Sequence, residues 1–195
     1  MPLDIAPLTG QALADALPEL ARLRIAVFRD YPYLYEGDEG YESRYLAAYA
    51  ESPGAVVIAA RDGGRIVGMA TAAPMEDHAG EFAAPFRSAG HDVGQILYLG
   101  ESVLLPEWRG RGIGHRFFDL REAHGRALGR RTFAFCAVIR PADHPARPAG
   151  YRPLDPFWRK RGYAPVPGLV TTFSWRELGE AEPSPKPMQF WLKRG

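Results

Sequence analysis

The residues best suited to chemistry stand in one short run, Arg109-Gly110-Arg111-Gly112-Ile113-Gly114, with His115 next. Glycines at 110, 112 and 114 carry no Cβ to hold a ligand away from the backbone, and the residues after them read as the start of a helix. A helix N-terminus leaves four N–H groups without partners and carries roughly half a positive charge, so it attracts an anion. Together these features read as a cradle for pyrophosphate. Spacing excludes two familiar cradles. A P-loop needs Gly, four residues, then Gly-Lys-Ser/Thr, and the dinucleotide fingerprint G-x-G-x-x-G needs its third glycine where this chain has His115. The plain alternative is a glycine-rich turn that caps a helix and binds nothing.

A carboxylate lies just upstream. Glu101 interrupts the apolar run from Ile96 to Leu105. In a regular strand it shares a face with Leu97, Leu99, Val103 and Leu105. Such neighbours desolvate a carboxylate and raise its pKa towards the range where a general base operates. Gly100 is a position at which a bulge would re-aim the side chain. The structural alternative for Glu101 is a carboxylate paired with an arginine.

These residues need elements to position them. Ile96–Leu105 reads as a strand, Pro106-Glu107-Trp108 as a turn, and the segment from Ile113 to Gly129 as an amphipathic helix. That helix has Ile113, Phe117, Leu120, Ala127 and Leu128 on one face and Arg116, Asp119, Arg121, Glu122 and Arg126 largely elsewhere. Before it come a short strand at Leu3–Ala6 and a helix over Gln11–Phe28 with Leu13, Leu17, Leu20 and Val27 on one face. Arg24 lies beside that face, its stem packed and its head in solvent, a pocket-facing cation being the other reading. Asp38 is placed to N-cap a helix through Tyr45, Leu46 and Tyr49, with Glu39 and Glu42 in its first turn. Ala55–Ala60 and Ile66–Ala73, joined by Arg61-Asp62-Gly63-Gly64-Arg65, read as an antiparallel hairpin. Met75–Asp92 is a polar insertion with His78 and His91, either part of a binding mouth or a surface loop. Thr132–Ile139 is an apolar strand; its Cys136 reads as a packing thiol. Residues 140–156 form a loop with five prolines, a short helix around Phe157–Arg161 ends at Gly162, and Val170–Trp175 and Met188–Lys193 (MQFWLK) are strands. A closing apolar strand completes its own sheet or a partner's, so a homodimer stays open.

Arg109, Gly112 and Gly114 fill the pattern R/Q-x-x-G-x-G/A after a strand, and V-x-L-P-E-W-R-G-R-G-I-G surrounds it. In these residues the chain resembles the GNAT superfamily of acyl-CoA-dependent N-acyltransferases, and FWRKRGYAPV resembles that family's C-terminal signature Y-x-K-x-G-F. The resemblance implies one α/β domain over residues 1–195 with a mixed, mostly antiparallel sheet of six to seven strands and helices on both faces. It implies an acetyltransferase that moves an acetyl group from acetyl-CoA to an amine acceptor by direct attack in a ternary complex. Val103, Leu104 and Leu105 would meet the pantetheine arm, and Arg109, Gly110, Arg111, Gly112, Ile113, Gly114 and His115 the pyrophosphate. Arg159 and Arg161 either reach adenosine phosphate or are solvated. The family's thiolate-protonating tyrosine would fall at Trp158, which cannot serve; Tyr151 and Tyr163 are the substitutes, with Tyr151 expected as a catalytic residue beside Glu101. In this family the segment holding Tyr31, Tyr33, Tyr35 and Glu36 covers the acceptor, and aromatic faces with carboxylates suit a cationic amine. Loss of the tyrosine leaves a rival reading, a non-catalytic acyl-CoA-binding or sensing domain.

The chemistry of such a transfer is demanding. A lysine-like amine has a pKa near 10.4, so only about one molecule in two thousand is neutral at pH 7. A base must take its proton, and the tetrahedral oxyanion needs donors, here the backbone N–H groups of the central strand. Composition sets the remaining bounds. With 195 residues, 46% hydrophobic and 24% charged, the chain reads as one ordinary globular domain. A formal net charge of +1 disfavours nucleic acid as a partner. No apolar run approaches the roughly 18 residues of a membrane span, and the N-terminus lacks a secretory pattern. A single cysteine fits a reducing cytoplasm. His115 and His124, nine residues apart, fall on opposite sides of a helix, and no histidine has metal-ligand spacing, so no metal is expected.

Overall fold

The computed structural model describes residues 3–78 and 80–195. Its strands are β1 (Asp4–Leu8), β2 (Val56–Asp62), β3 (Arg65–Pro74), β4 (Ile96–Tyr98), β5 (Ser102–Leu104), β6 (Thr132–Val138), β7 (Ala164–Trp175) and β8 (Ser184–Arg194). The helices are α1 (Gly10–Phe28), α2 (Glu39–Glu51), α3 (Gly80–Ser88), α4 (Ile113–Ala127) and α5 (Asp155–Lys160). One sheet runs β1-β2-β3-β4-β6-β8-β7, with β5 also paired to β3, and its strands are antiparallel except for the β4/β6 pair. This is the mixed, mostly antiparallel α/β architecture that the resemblance implied. The described residues hold eight strands rather than six or seven because the run from Ile96 to Leu105 divides into β4 and β5.

Both faces of the sheet are covered. Val57, Ala59, Met69 and Val103 pack under α1 and α2 with Leu13, Leu20 and Leu46. Ile58, Ala60, Leu97 and Leu99 pack under α4 with Ile113, Phe117 and Phe118. Two-sided burial explains why β2 and β3 read as continuous apolar runs. They join through Gly63 and Gly64, both at positive φ, as the expected hairpin requires.

One expectation is corrected here and two open readings are decided. The insertion after β3 is not merely a surface loop: Met75, Ala83 and Phe86 are fully buried in a third cluster with β4, β6 and β8. Its Ala79 lies outside the described residues. On α4 the buried face is Ile113, Phe117, Phe118, Arg121, Glu122 and Gly125, whereas Leu128 is exposed. The apolar stripe ends early because Arg121 and Glu122 have buried partners described below. Finally, the closing strand β8 lies inside its own sheet, between β6 and β7.

Candidate active site

The site is built on a break in the central strand. Gly100 N–H donates to Thr71 O at 3.1 Å and Thr71 N–H donates to Glu101 O at 3.1 Å, so Thr71 alone opposes two residues, which is a β-bulge. A Cβ on Gly100 would collide with the Tyr49 hydroxyl and stand 2.6 Å from Thr71 Oγ1, so only glycine fits. The extra residue reverses the alternation of side chains. Leu97 and Leu99 stay on the α4 face, while Glu101 and Val103 turn to the face covered by α1 and α2. The expectation that Glu101 shares a face with Leu97 and Leu99 therefore fails.

Instead, Glu101 is buried among polar partners. Its Oε2 is 2.7 Å from Arg24 Nη1 and accepts from the Tyr45 hydroxyl at 2.9 Å. Since that proton is committed, the Tyr49 hydroxyl, 3.1 Å from that of Tyr45, is the donor in their contact. Arg24 also donates through Nε to Glu42, which is fully buried, and its guanidinium lies 4.2 Å from the centre of the Tyr45 ring. Burial opposes the arginine's charge, but Glu101, Tyr45 and Glu42 hold its pKa above the ordinary value. Glu101 Oε1 is buried and has no hydrogen-bond partner.

Arg121 braces the bulge from the α4 side. Its Nη1 donates to Thr71 O at 3.1 Å and Glu101 O at 2.9 Å, and its Nη2 to Ser102 Oγ at 2.8 Å. Burial pushes its pKa down to about 10, so it remains a cation at neutral pH.

Beyond Leu99, whose N–H still donates to Ala134 O, β5 pairs only with β3. Leu105 N–H donates to Val67 O and Glu101 O accepts from Thr71, so the odd-numbered residues spend their backbone groups on β3. Alternation leaves those of Ser102 and Leu104 facing the opening towards β6. Of the three residues expected along a pantetheine arm, Leu104 lines this opening; Val103 is fully buried and Leu105 turns to β3.

The glycine loop follows. Gly110 and Gly112 hold φ of +77° and +80°, which favours glycine, and Gly112 caps α4. Arg109 spends its N–H on Pro106 O, closing a turn, and its Nε donates to Leu104 O. Among the described residues, no protein group accepts from the backbone N–H groups of Gly110 through His115. Arg111 turns away, its guanidinium 4.6 Å from the centre of the Trp108 ring and donating to Glu107 O. One cavity of about 1560 Å³ joins these unpaired amides to Leu104, Glu101 and the aromatic rings of Tyr33, Tyr45 and Tyr98.

Residues 20–150 match the acetyltransferase (GNAT) family. The chain belongs to the GNAT acetyltransferase family. It is therefore an acetyl-CoA-dependent N-acetyltransferase. No curated protein matches it by sequence. Solved structures show the same fold. A ribosomal-protein-alanine N-acetyltransferase from Brucella melitensis is 16% identical with a TM-score of 0.62, over 98% of this chain and 99% of that one. An N-acetyltransferase from Staphylococcus aureus Mu50 is 11% identical with a TM-score of 0.63, over 100% and 99%. A protein from Salmonella typhimurium, solved with its cofactor acetyl-CoA, is 10% identical with a TM-score of 0.61, over 98% and 93%.

Other candidate residues of this GNAT chain take distinct places. Tyr151 lines the cavity with its ring 4.6 Å from that of Tyr31; burial, Tyr31 and Asp155 raise its pKa, keeping it a phenol. Tyr163 is buried and donates to Glu122 at 3.0 Å, away from the cavity wall. Trp158, in the position of the family's tyrosine, packs against Phe135 and Trp191, each 5.0 Å between ring centres. Arg161 is bound to Asp119 at 2.7 Å and Glu122 at 3.3 Å, and Arg159 lies over Trp191. Cys136 is buried on the cavity wall, 3.0 Å from the Tyr98 hydroxyl, and burial pushes its thiol up to about 12. Among the described residues no group of three or more His, Cys, Asp or Glu side chains is placed to hold a metal ion, and no helix is long and apolar enough to cross a membrane.

Local spacing missed the place of Arg121 at the site and left that of Arg24 as one of two readings. Each sits at an apolar position of its helix: Arg24 beside Leu20 and Leu23, and Arg121 one turn after Phe117. An arginine inside an apolar stripe was the available signal.

Proposed function

We propose that this chain, acting as one domain over residues 1–195 in the cytoplasm, acetylates a small-molecule or peptide amine by direct attack on acetyl-CoA in a ternary complex. One observation carries the reading: the cavity that joins unpaired backbone amides at the start of α4 to the unpartnered Oε1 of Glu101 at the bulge. The amides of Gly110 to Gly114 suit the diphosphate, and the backbone of Leu104 suits the pantetheine arm. The thioester carbonyl then lies near Ser102, whose N–H faces the opening and suits the developing oxyanion. Glu101 Oε1 accepts a hydrogen bond from an N–H of the neutral acceptor and takes that proton, the N–H bond breaking, once the C–N bond has formed. The nitrogen lone pair forms the C–N bond, the oxyanion collapses, the C–S bond breaks, and Tyr151 or water protonates the thiolate. Direct attack is supported over an acetyl-cysteine intermediate because Cys136 is held as a neutral thiol against Tyr98.

On the α1 and α2 side of the cavity the carboxylates Glu42 and Glu101 pair with Arg24 among aromatic rings, and Arg121 stands across the bulge on the α4 side. The aromatic rings and the unpartnered Glu101 Oε1 suit an acceptor that arrives as a cation. The test is thiol release from acetyl-CoA over a panel of amines and peptides. At least one cationic amine should release thiol well above the hydrolytic background. Binding of acetyl-CoA without thiol release on any amine or peptide would contradict the proposed acceptor class.

A further inference from the structure

An ammonium acceptor that ends as an amide gives up two protons, one before its lone pair can attack and one after the C–N bond has formed. Glu101 Oε1 provides for one of them. A second buried polar atom without a partner, His78 Nε2, stands on the wall of the same cavity. His78 follows the short 3-10 turn Met75–Asp77. Its ring is packed edge-on against Tyr98, with centres 4.6 Å apart, and against Tyr49 and Phe82 at 6.1 and 6.2 Å. Tyr49 is the same residue whose hydroxyl bonds to Tyr45, the donor to Glu101. Two orphaned polar atoms on one cavity wall are costly until a ligand satisfies both, and with the His78 proton on Nδ1 both accept from a ligand rich in N–H donors.

We propose that His78 is a catalytic residue whose Nε2 takes the first proton from the ammonium form of the acceptor. The N–H bond breaks, the proton resides on Nε2, and the neutral amine is held through a remaining N–H by Glu101 Oε1. After attack Glu101 takes the second proton, while the departing thiolate is protonated by Tyr151 or water. His78 then returns its proton to solvent through the cavity mouth. This rests on the acetyl-transfer reading above.

The surroundings suit the role. Burial lowers the pKa of His78, outweighing Glu101 and Asp77, which raise it, so the ring is neutral at pH 7. Asp77 is engaged by the Ser52 hydroxyl at 2.6 Å. Tyr49 on α2 and Tyr98 on β4, the titratable groups packed on the ring, are kept as phenols by burial. With a proton on Nδ1, Nε2 presents its lone pair to the cavity.

The test compares wild type with His78→Gln and His78→Asn from pH 6 to 10, following thiol release with an amine that wild type acetylates. At pH 7 both variants should lose about a hundredfold in kcat/KM. At pH 10, where much of the acceptor is already neutral, the loss should shrink to about threefold or less. A weakly basic amine, neutral at pH 7, should be acetylated almost equally by all three proteins, and the acetyl-CoA thermal shift should be unchanged. Wild-type rates in the variants at pH 7, or a loss that is the same at pH 7 and pH 10, would overturn the role of His78 and leave acetyl transfer standing. Absence of thiol release by wild type with any amine would overturn both.

Discussion

Arg24, Glu42 and Glu101 come from α1, α2 and the bulge, and meet where an acceptor would dock. Removing one member leaves a buried charge short of a partner, so the cluster sets stability and chemistry together. Replacing Glu101 with Gln keeps the shape but removes a charge from Oε2 and a proton acceptor from Oε1. The expected result is a fall of about a hundredfold in kcat with acetyl-CoA affinity nearly intact. Equal activity of that variant from pH 6 to 9 would remove Glu101 from the mechanism. The sequence showed an acid on the central strand but not its partner. Periodicity reports neighbours within an element, whereas Arg24 and Glu101 meet only through tertiary packing, so a pocket-facing Arg24 and an arginine beside Glu101 stood only as alternative readings. Asp38 was legible because capping is local: its side chain accepts from Tyr41 N–H at 2.6 Å, three residues on.

Whole elements are positioned by the bulge. β4 remains bonded to β6, and β5 is released to face the cavity because one extra residue is absorbed at Gly100. Arg121 then donates from α4 to the buried carbonyls of Thr71 and Glu101, bracing the bulge. Gly100→Ala should cost about 1–3 kcal/mol, because the added methyl displaces Tyr49 and Thr71 in a packed core. Denaturant unfolding measures that cost, and acetyl transfer should fall with it since Tyr49 supports the Tyr45–Glu101 bond. An unchanged midpoint would mean the bulge relaxes freely. At this scale the strands and helices were largely readable, since two-sided burial and glycine turns leave clear patterns. The bulge was readable only as a possibility at Gly100, and the burial of Arg121 and Glu122 was not. The face of α4 is set by what the other elements present to it: Thr71 O and Glu101 O for Arg121, and Tyr163, Lys193 and Arg161 for Glu122.

Across the whole molecule, the cavity is a consequence of topology. The sheet parts after Leu99, the opening is lined by β5, β6 and α5, and the glycine loop stands at one end with the aromatic segment from α1 to α2 at the other. The uncovered amides of the loop were legible from six residues because glycine spacing at a helix start is a local property. The other end was legible only in separate pieces, Tyr31, His78 and Tyr151 among them, because it is assembled from segments far apart in the chain. The central claim is that the uncovered amides at the start of α4 hold the diphosphate of acetyl-CoA. Gly114→Glu tests it with little disturbance to the fold. Position 114 has an ordinary helical backbone, an added Cβ meets only Phe157 at an ordinary 3.5 Å, and an acid suits the first turn of a helix. The most direct measurement is calorimetric titration of acetyl-CoA into wild type and into this variant, each first shown to unfold at a similar temperature. Wild type should bind, and the variant should bind at least about a hundredfold more weakly, because its carboxylate stands where the diphosphate must sit. Equal affinity in the two proteins would contradict the account.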